Sequence, residues 1–126
     1  MPDALIYPDE CFAIVGAAIA VRDELGHGFL EAVYEAAMIE ECKLRGIPIQ
    51  EQVKLGIAYK GIPLSPTYIA DLVAYGKIII ELKAIRKIGQ VEEAQIVNYL
   101  KATGMRLGIL VNFGAPAALE WRRLVN

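Results

Sequence analysis

Three ionisable residues stand in two runs whose composition is otherwise that of buried strands. Asp71 lies in YIADLVA, and Glu81 and Lys83 follow three isoleucines in KIIIELKAIRK. Residues two apart on a strand point to the same face, so Glu81 and Lys83 should project together beside Ile79. Burying charge costs free energy unless the charge is paired or bound to a metal. The pattern therefore predicts that these charges have a partner.

Asp71 and Glu81 become neighbours if segments 68–74 and 78–84 pair antiparallel through a turn at Gly76. Two carboxylates brought together in a low dielectric repel each other, and each raises the pKa of the other unless a cation lies between them. Carboxylate oxygens are the ligands that Mg²⁺ and Mn²⁺ prefer. The spacing is thus compatible with a metal site.

Lys83 admits two interpretations. Beside a bound metal, its ammonium group would hold a metal-adjacent water or neutralise charge on a phosphoryl transition state. Alternatively, Lys83 forms a buried ion pair with Asp71 or Glu81, and from spacing alone this is the commoner arrangement.

Two helices are predicted in the first 46 residues. In YPDECFAIVGAAIAVRDELG, Pro8 suits a first helical turn and Gly26 follows as a stop. FLEAVYEAAMIEECKLRG repeats this pattern and ends at Gly46. We expect the inward stripe of the second helix to consist of Phe29, Val33, Ala37 and Leu44.

The remainder predicts strands and one more helix. Val53, Leu55, Ile57 and Tyr59 alternate with small or polar residues and indicate a strand before a turn at Lys60-Gly61. Two strands joined at 75–77 follow, with Asp71 on the face of Ile69 and Val73. The later segments are a helix at 90–104 with Ala94, Ile96, Val97 and Leu100 inward, a strand at 106–114, and a tail containing a helical turn and a last strand.

A further motif lies at the start of the second helix. GHGFLEAVYEAAMIEE contains Gly28-x-x-Glu31-x-x-Tyr34. Together with DLVAYGKIIIELKA, EAQIVNYL and GILVNFG in that order, it resembles the GxxExxY family, a compact branch of the PD-(D/E)xK nuclease superfamily. The resemblance spans about 13–125. It implies a restriction-endonuclease-like α/β (α+β) core, with a central mixed sheet flanked by helices in the order α-β-β-β-α-β.

The resemblance also implies a metal and a set of site residues. The ion would be Mg²⁺ or Mn²⁺, both of which oxygen ligands suit. Ala70 stands where the superfamily motif has proline, a change that alters the backbone setting but no ligand. The implied metal ligands are Asp71, Glu81, Glu31 and the backbone carbonyl of Leu82, and Lys83 and Gln95 complete the catalytic set with the three acids.

Length and composition fit one globular domain over 1–126. The chain is 56% hydrophobic and 22% charged, which suits a packed core. Its longest apolar run, 11–21, is shorter than the ~20 residues that span a bilayer, and no leader sequence is recognisable. We expect a cytoplasmic protein without a membrane partner, in which Cys11 and Cys42 are free, buried thiols.

Charge is distributed unevenly along the chain. The net charge is −2, but Lys and Arg are outnumbered five to eleven up to Gly76 and lead eight to four from Lys77 onward. A basic second half is compatible with contacts to phosphates. Arg86 and Lys87 either touch a nucleic-acid backbone or form a solvated strand end. Tyr34 either bonds toward Glu31 or the substrate, or packs in the core with its hydroxyl satisfied.

These features lead to a functional hypothesis with two rivals. The first is a divalent-metal-dependent nuclease that hydrolyses phosphodiester bonds in DNA. The second is a catalytically silent module of the same fold that binds nucleic acid or a protein partner. The third is metal-assisted hydrolysis of a smaller phosphorylated substrate. A homodimer is an arrangement that the small size of the chain allows.

Overall fold

A computed structural model of the chain describes residues 6–126. Its main element is a five-stranded sheet with two helices packed on one face and one helix on the other. In chain order the elements are α1 (Pro8–Leu25), α2 (Glu31–Arg45), β1 (Ile49–Leu55), β2 (Ala58–Tyr59), β3 (Ile62–Pro63), β4 (Tyr68–Ala74), β5 (Ile78–Lys83), α3 (Gln90–Thr103), β6 (Leu107–Asn112) and β7 (Glu120–Val125).

The strands of the main sheet lie in the order β1-β4-β5-β6-β7. β5 and β6 run parallel with α3 as their crossover, and the other neighbouring pairs run antiparallel. This is the mixed, helix-flanked α/β sheet of a restriction-endonuclease-like fold, as the sequence predicted. β2 and β3 form a separate small hairpin between β1 and β4.

Both predicted turns are confirmed. Lys60 and Gly61 join β2 to β3, and Tyr75 and Gly76 join β4 to β5, each pair with positive φ angles. Two consecutive positive φ angles give a turn whose twist matches that of paired strands. The β4–β5 turn therefore fixes the register in which the two strands of the predicted site lie side by side.

The face that α2 buries differs from the predicted one. Phe29, Val33 and Leu44 are exposed, so the prediction was wrong for these three residues, whereas Ala37 packs against the larger core as predicted. The buried residues are instead Tyr34, Met38 and Cys42, spaced by one helical turn each. They pack with α1 in the larger core, which contains both cysteines as free thiols.

α3 covers the other face with a narrower stripe than predicted. Ile96 and Leu100 are buried against β6, whereas Ala94 is exposed and Val97 only partly buried. A side chain at Gly108 would collide with Ile96, because a Cβ built there lies 2.8 Å from it. Close contact between α3 and β6 thus depends on a residue without a side chain.

The tail agrees with the prediction only in part. Its last strand is present as β7, which pairs with β6, but the segment before it, 115–119, forms bends and no helical turn. Within residues 6–126, no helix has the length and apolar character needed to cross a membrane.

The side-chain alternation of β4 shifts by one residue at Asp71. Ala70 and Val73 both belong to the core under α3, whereas Leu72, two residues after Ala70, belongs to the core under α1 and α2. Ile69 is exposed and does not share a face with Val73, so the predicted common face was wrong.

The neighbouring strand is irregular at the same level. β1 pairs with β4 on both sides of this point, but Gln52 and Asp71, which would face each other, are not paired. Gln52 has a φ of 48°, outside the range of regular strand backbone. The paired region of β4 and β5 also ends at Leu72 and Ile80, so the sheet opens where the predicted site begins.

Candidate active site

Asp71 and Glu81 are joined across the gap where β4 and β5 separate. The backbone N–H of Asp71 donates to Glu81 Oε2 at 3.2 Å, and the N–H of Leu82 donates to Asp71 Oδ2 at 2.9 Å. The two carboxyl groups are thus held beside each other by backbone donors, at the position that the antiparallel pairing predicted.

Tyr68 is the third member of this cluster, and sequence reasoning missed it. Its buried hydroxyl donates a short hydrogen bond to Glu81 Oε2. Its ring stacks on Tyr99 of α3, with centroids 3.8 Å apart and an interplanar angle of 11°. An aromatic residue at the start of a strand resembles ordinary core, and no spacing signal links it to Glu81.

Glu81 has a strongly perturbed ionisation. Burial raises its pKa to about 7, and the nearby charge of Asp71 adds to the rise, although the Tyr68 hydroxyl, the Asp71 N–H and Lys83 act in the opposite direction. A carboxyl group that is held at a high pKa by burial and by a second carboxylate is typical of functional sites.

Glu31 lies within electrostatic reach of this pair. It is the first residue of α2, and burial, then the charge of Asp71, raise its pKa, while Lys83 lowers it. Tyr34, the last residue of the Gly28-x-x-Glu31-x-x-Tyr34 motif, holds the loop before Glu31 in place. Its hydroxyl donates to Gly26 O at 2.6 Å and accepts from Phe29 N at 3.3 Å. Of the two predicted roles, Tyr34 therefore has the structural one.

Lys83 and Gln95 meet at a cavity of about 340 Å³ beside the acidic pair. Glu81, Lys83 and Gln95 all line this cavity, as do Tyr68 and Tyr99. Among residues 6–126, Lys83 forms no salt bridge, so the ion-pair interpretation gains no support. The ammonium group lies on the same strand face as Glu81, and the cavity gives a substrate access to both.

A second polar network holds the loop that follows Lys83. The buried Asn112 side chain accepts from Ile85 N at 2.9 Å and from Gly114 N at 3.0 Å, and it donates to Glu120 at 3.0 Å. Glu120 in turn accepts from Ile88 N at 2.9 Å. We call this set the Asn112 clamp, and it fixes the backbone at the end of β5.

The donors present suit a hard divalent cation. Asp71 and Glu81 supply adjacent carboxylates, and Leu82 exposes its backbone to the same side, because the N–H and C=O of a strand residue point to the same edge. Oxygen donors of this kind are what Mg²⁺ and Mn²⁺ bind. In the described part of the chain no three His, Cys, Asp or Glu side chains are gathered into a metal cluster, so Glu31 stays a predicted ligand.

The chain matches the sequence model of the PD-(D/E)XK nuclease superfamily over residues 8–124 and belongs to that superfamily. The matched range includes both Asp71 and Glu81. No curated protein matches the chain.

A solved structure supports the fold. The chain is similar to the crystal structure of a protein named SSO0001, with a TM-score of 0.58 and 18% sequence identity. The match covers 95% of this chain and 59% of that protein, so this chain spans less than two thirds of its length.

Proposed function

We propose that this protein is a divalent-metal-dependent nuclease that hydrolyses phosphodiester bonds in DNA. The observation that carries the proposal is the adjacent Asp71–Glu81 pair with Lys83 on the same strand face. Membership of the nuclease superfamily supports a nucleic-acid substrate. The raised pKa of Glu81 supports a cation, since a nearby positive charge would offset the repulsion between the two carboxylates.

Each residue has a defined task in this proposal. Asp71, Glu81 and the Leu82 carbonyl would hold a Mg²⁺ or Mn²⁺ ion, and Glu31 at the start of α2 would complete the oxygen ligands. When bound, the ion would supply Lewis-acid chemistry to a water molecule and to the phosphoryl group.

Lys83 and Gln95 act from the cavity side. The Lys83 ammonium group stabilises negative charge as it develops on the phosphoryl oxygens, or it orients the attacking water. Gln95 lines the same cavity and offers an amide donor and acceptor to the substrate or to that water. Tyr68 holds Glu81 in place through its hydroxyl.

A cleavage screen tests the proposal directly. Plasmid, duplex and single-stranded oligonucleotides are incubated with the protein and Mn²⁺ or Mg²⁺, alongside Lys83→Ala. We expect cleavage by the wild type and a loss of about a thousandfold in the variant. Lys101→Ala, which removes an exposed cation from the last turn of α3, is the matched control and should retain activity. Equal cleavage by wild type and Lys83→Ala would refute the assignment.

One observation favours a binding module that does not cut. Both acidic side chains already accept hydrogen bonds from within the protein: Glu81 from Tyr68 and Asp71 N, and Asp71 from Leu82 N. A silent site would keep this arrangement without needing an ion. In the screen, this alternative predicts retarded nucleic acid with no cleavage at any metal concentration, and the same retardation by Glu81→Gln.

A further inference from the structure

A groove of about 360 Å³ lies beside the residues that follow Lys83, and it shares no lining residue with the cavity that holds Gln95. It is bounded by the loop before Glu31 and the loop after Lys83, and we call it the loop groove. Its volume falls in the range of about 300 to 1,000 Å³ that is usual for small-ligand sites. Its lining includes Phe29, Leu30, Ala84, Ile85, Arg86 and Gly114.

Phe29 and Leu30 give this groove an apolar wall that no other part of residues 6–126 covers. Phe29 is 47% exposed and Leu30 is 79% exposed, although they directly precede the predicted ligand Glu31. Contiguous exposed apolar surface beside a cavity is a feature of ligand-binding grooves.

The Phe29 ring is held in place from behind. It packs edge-on against Tyr34 with centroids 6.1 Å apart, and its backbone N–H donates to the Tyr34 hydroxyl. Tyr34 is itself fully buried and stacks on Phe113 at 4.6 Å. Phe29 is therefore a supported aromatic platform and not a freely rotating surface side chain.

The opposite wall is also rigid. A Cβ added at Gly114 would lie 2.4 Å from the carbonyl oxygen of Ile85, so the loop after β6 touches the loop after β5 at the backbone. Arg22 donates to the carbonyls of Ala115 at 2.8 Å and Pro116 at 3.3 Å, and these bonds hold the loop after β6 in place. The groove therefore exists before any ligand arrives.

The charged side chain in the lining of the groove is Arg86, which forms no salt bridge among the described residues. Three further charged residues lie one position from the lining in the sequence: Lys83, Lys87 and the acidic Glu31. Three cations on a protein of net charge −2 make a small footprint, whereas duplex binding depends on many Lys and Arg contacts to phosphates.

Proteins that bind unpaired strands combine a positively charged groove with aromatic side chains on which the bases stack. We propose that the loop groove binds an unpaired nucleotide adjacent to the scissile phosphate, with its base on Phe29 and Leu30 and its backbone on Arg86. The substrate class is then single-stranded DNA or an unpaired end, and not continuous duplex. This inference rests on the proposed nuclease function.

The test measures binding separately from cleavage. Fluorescence anisotropy with single-stranded, duplex and 3′- or 5′-overhang oligonucleotides is recorded in chelator, where binding can be followed without metal. We expect single strands and overhangs to bind at least tenfold more tightly than duplex. Phe29→Ala should weaken single-strand binding by about fivefold or more, the effect of losing one base-stacking contact. Leu30→Ala should weaken it in the same direction, because it removes an apolar contact to the base.

Matched controls are available on the two helices that the loop containing Phe29 and Leu30 connects. Phe12 and Leu44 are both 82% exposed, and each lies more than three helical turns from the loop groove along α1 or α2. Phe12→Ala and Leu44→Ala should leave binding unchanged. Because Phe29 contacts Tyr34, Leu30→Ala serves as the variant whose folding is least affected.

The salt dependence of single-strand binding gives a second, quantitative test of the proposal. Three phosphate contacts to a single strand predict a slope of about −2 in a plot of log K against log salt concentration, at about −0.7 for each contact. Arg86→Ala should reduce that slope by about 0.7, and Lys43→Ala on the last turn of α2 should not.

The outcomes separate the two proposals. Equal or tighter binding to duplex, with no effect of Phe29→Ala and Leu30→Ala, overturns the loop-groove inference even if the protein cleaves DNA. Preferential single-strand binding that both variants weaken supports it, and cleavage rates with Mn²⁺ should follow the same order. Absence of binding to every oligonucleotide together with absence of cleavage overturns the proposed function itself.

Discussion

Glu81 and Glu120 lie in the same sheet, but their surroundings shift the pKa values of their carboxyl groups in opposite directions. Burial raises the pKa of Glu81 to about 7, and the charge of Asp71 beside it adds to the rise. Burial also acts to raise the pKa of Glu120, but the Asn112 side chain, Ile88 N–H and Arg122 outweigh it, so its pKa is lowered. The ionised form of Glu81 is thus disfavoured, mainly by burial, whereas the hydrogen bonds and charges around Glu120 favour its ionised form.

This difference indicates that the Asn112 clamp stabilises the fold and that the Asp71–Glu81 pair does not. In the Asn112 clamp both polar side-chain atoms of Asn112 have hydrogen-bond partners, which is the usual state of buried polar groups. In the Asp71–Glu81 pair two acids share one opening in the sheet. An arrangement that opposes folding without a cation is compatible with a site selected for binding one.

Asn112→Ala should have the largest effect on stability. It leaves the N–H groups of Ile85 and Gly114 without a partner, and each buried unpaired group costs about 1–3 kcal/mol. We expect the free energy of unfolding, measured with urea, to fall by about 2–4 kcal/mol. Asn98→Ala, on the exposed face of α3, is the control and should change it by less than about 0.5 kcal/mol. Equal effects of the two substitutions would show that the clamp does not stabilise the fold.

Glu81→Gln should increase stability at pH 8. The pKa of Glu81 is higher in the folded state than its ordinary value of 4.5, so the folded state binds more protons between about pH 4.5 and 7 and loses stability as the pH rises through that range. Glutamine does not ionise, and the variant should gain up to about 3 kcal/mol at pH 8 and almost nothing at pH 4. A destabilised variant at pH 8 would show that the ionised carboxylate supports the fold.

Glu120→Gln should lower stability at pH 8, which is the opposite of the effect of Glu81→Gln, and by a smaller amount. A lowered pKa stabilises the folded state above the ordinary value of 4.5, and that stability is lost as the pH falls through the folded-state pKa. The variant should lose about 1 kcal/mol at pH 8, since glutamine keeps an acceptor but loses the charge facing Arg122. If both variants changed stability in the same direction at pH 8, the contrast between the two regions would not hold.

The sequence predicted the order of elements because turns and helix ends depend on local residues. Gly26, Gly46 and Gly76 mark ends and reversals through their own backbone preferences, and the structure places each at such a point. The strand faces of β5 were also predicted correctly, because Ile78, Ile80 and Leu82 alternate without interruption.

The errors arise where distant contacts override the local pattern. In α2, Tyr34 is buried in place of Val33, because its hydroxyl finds a backbone partner in the preceding loop and its ring stacks on Phe113. In β4, regular alternation is interrupted at Asp71 by unpaired backbone opposite Gln52, which no periodicity reveals. The role of Tyr68 depends on Glu81, 13 residues away, and the Asn112 clamp includes partners 8 and 27 residues from Asn112, so neither left a spacing signal.

Tyr68→Phe should produce the smallest effect. It preserves the stack on Tyr99 but removes the hydrogen bond that lowers the pKa of Glu81. The pKa of Glu81 should therefore rise, and the acid limb of the pH profile for cleavage should move to higher pH. Tyr99→Phe, which leaves the hydroxyl of Tyr68 in place, is the control. An unchanged acid limb in Tyr68→Phe would exclude Glu81 as the group that sets it.

The central claim is that Asp71 and Glu81 bind a divalent cation, and calorimetric titration with Mn²⁺ in buffers of different ionisation enthalpy tests it most directly. Because Glu81 has a pKa of about 7 and must ionise to bind a metal, we predict binding with release of about one proton at pH 6 and almost none at pH 8.5. Glu81→Gln should abolish the binding, and Glu120→Gln should leave it intact. No heat of binding at millimolar Mn²⁺, or equal binding by Glu81→Gln and the wild type, would contradict the claim.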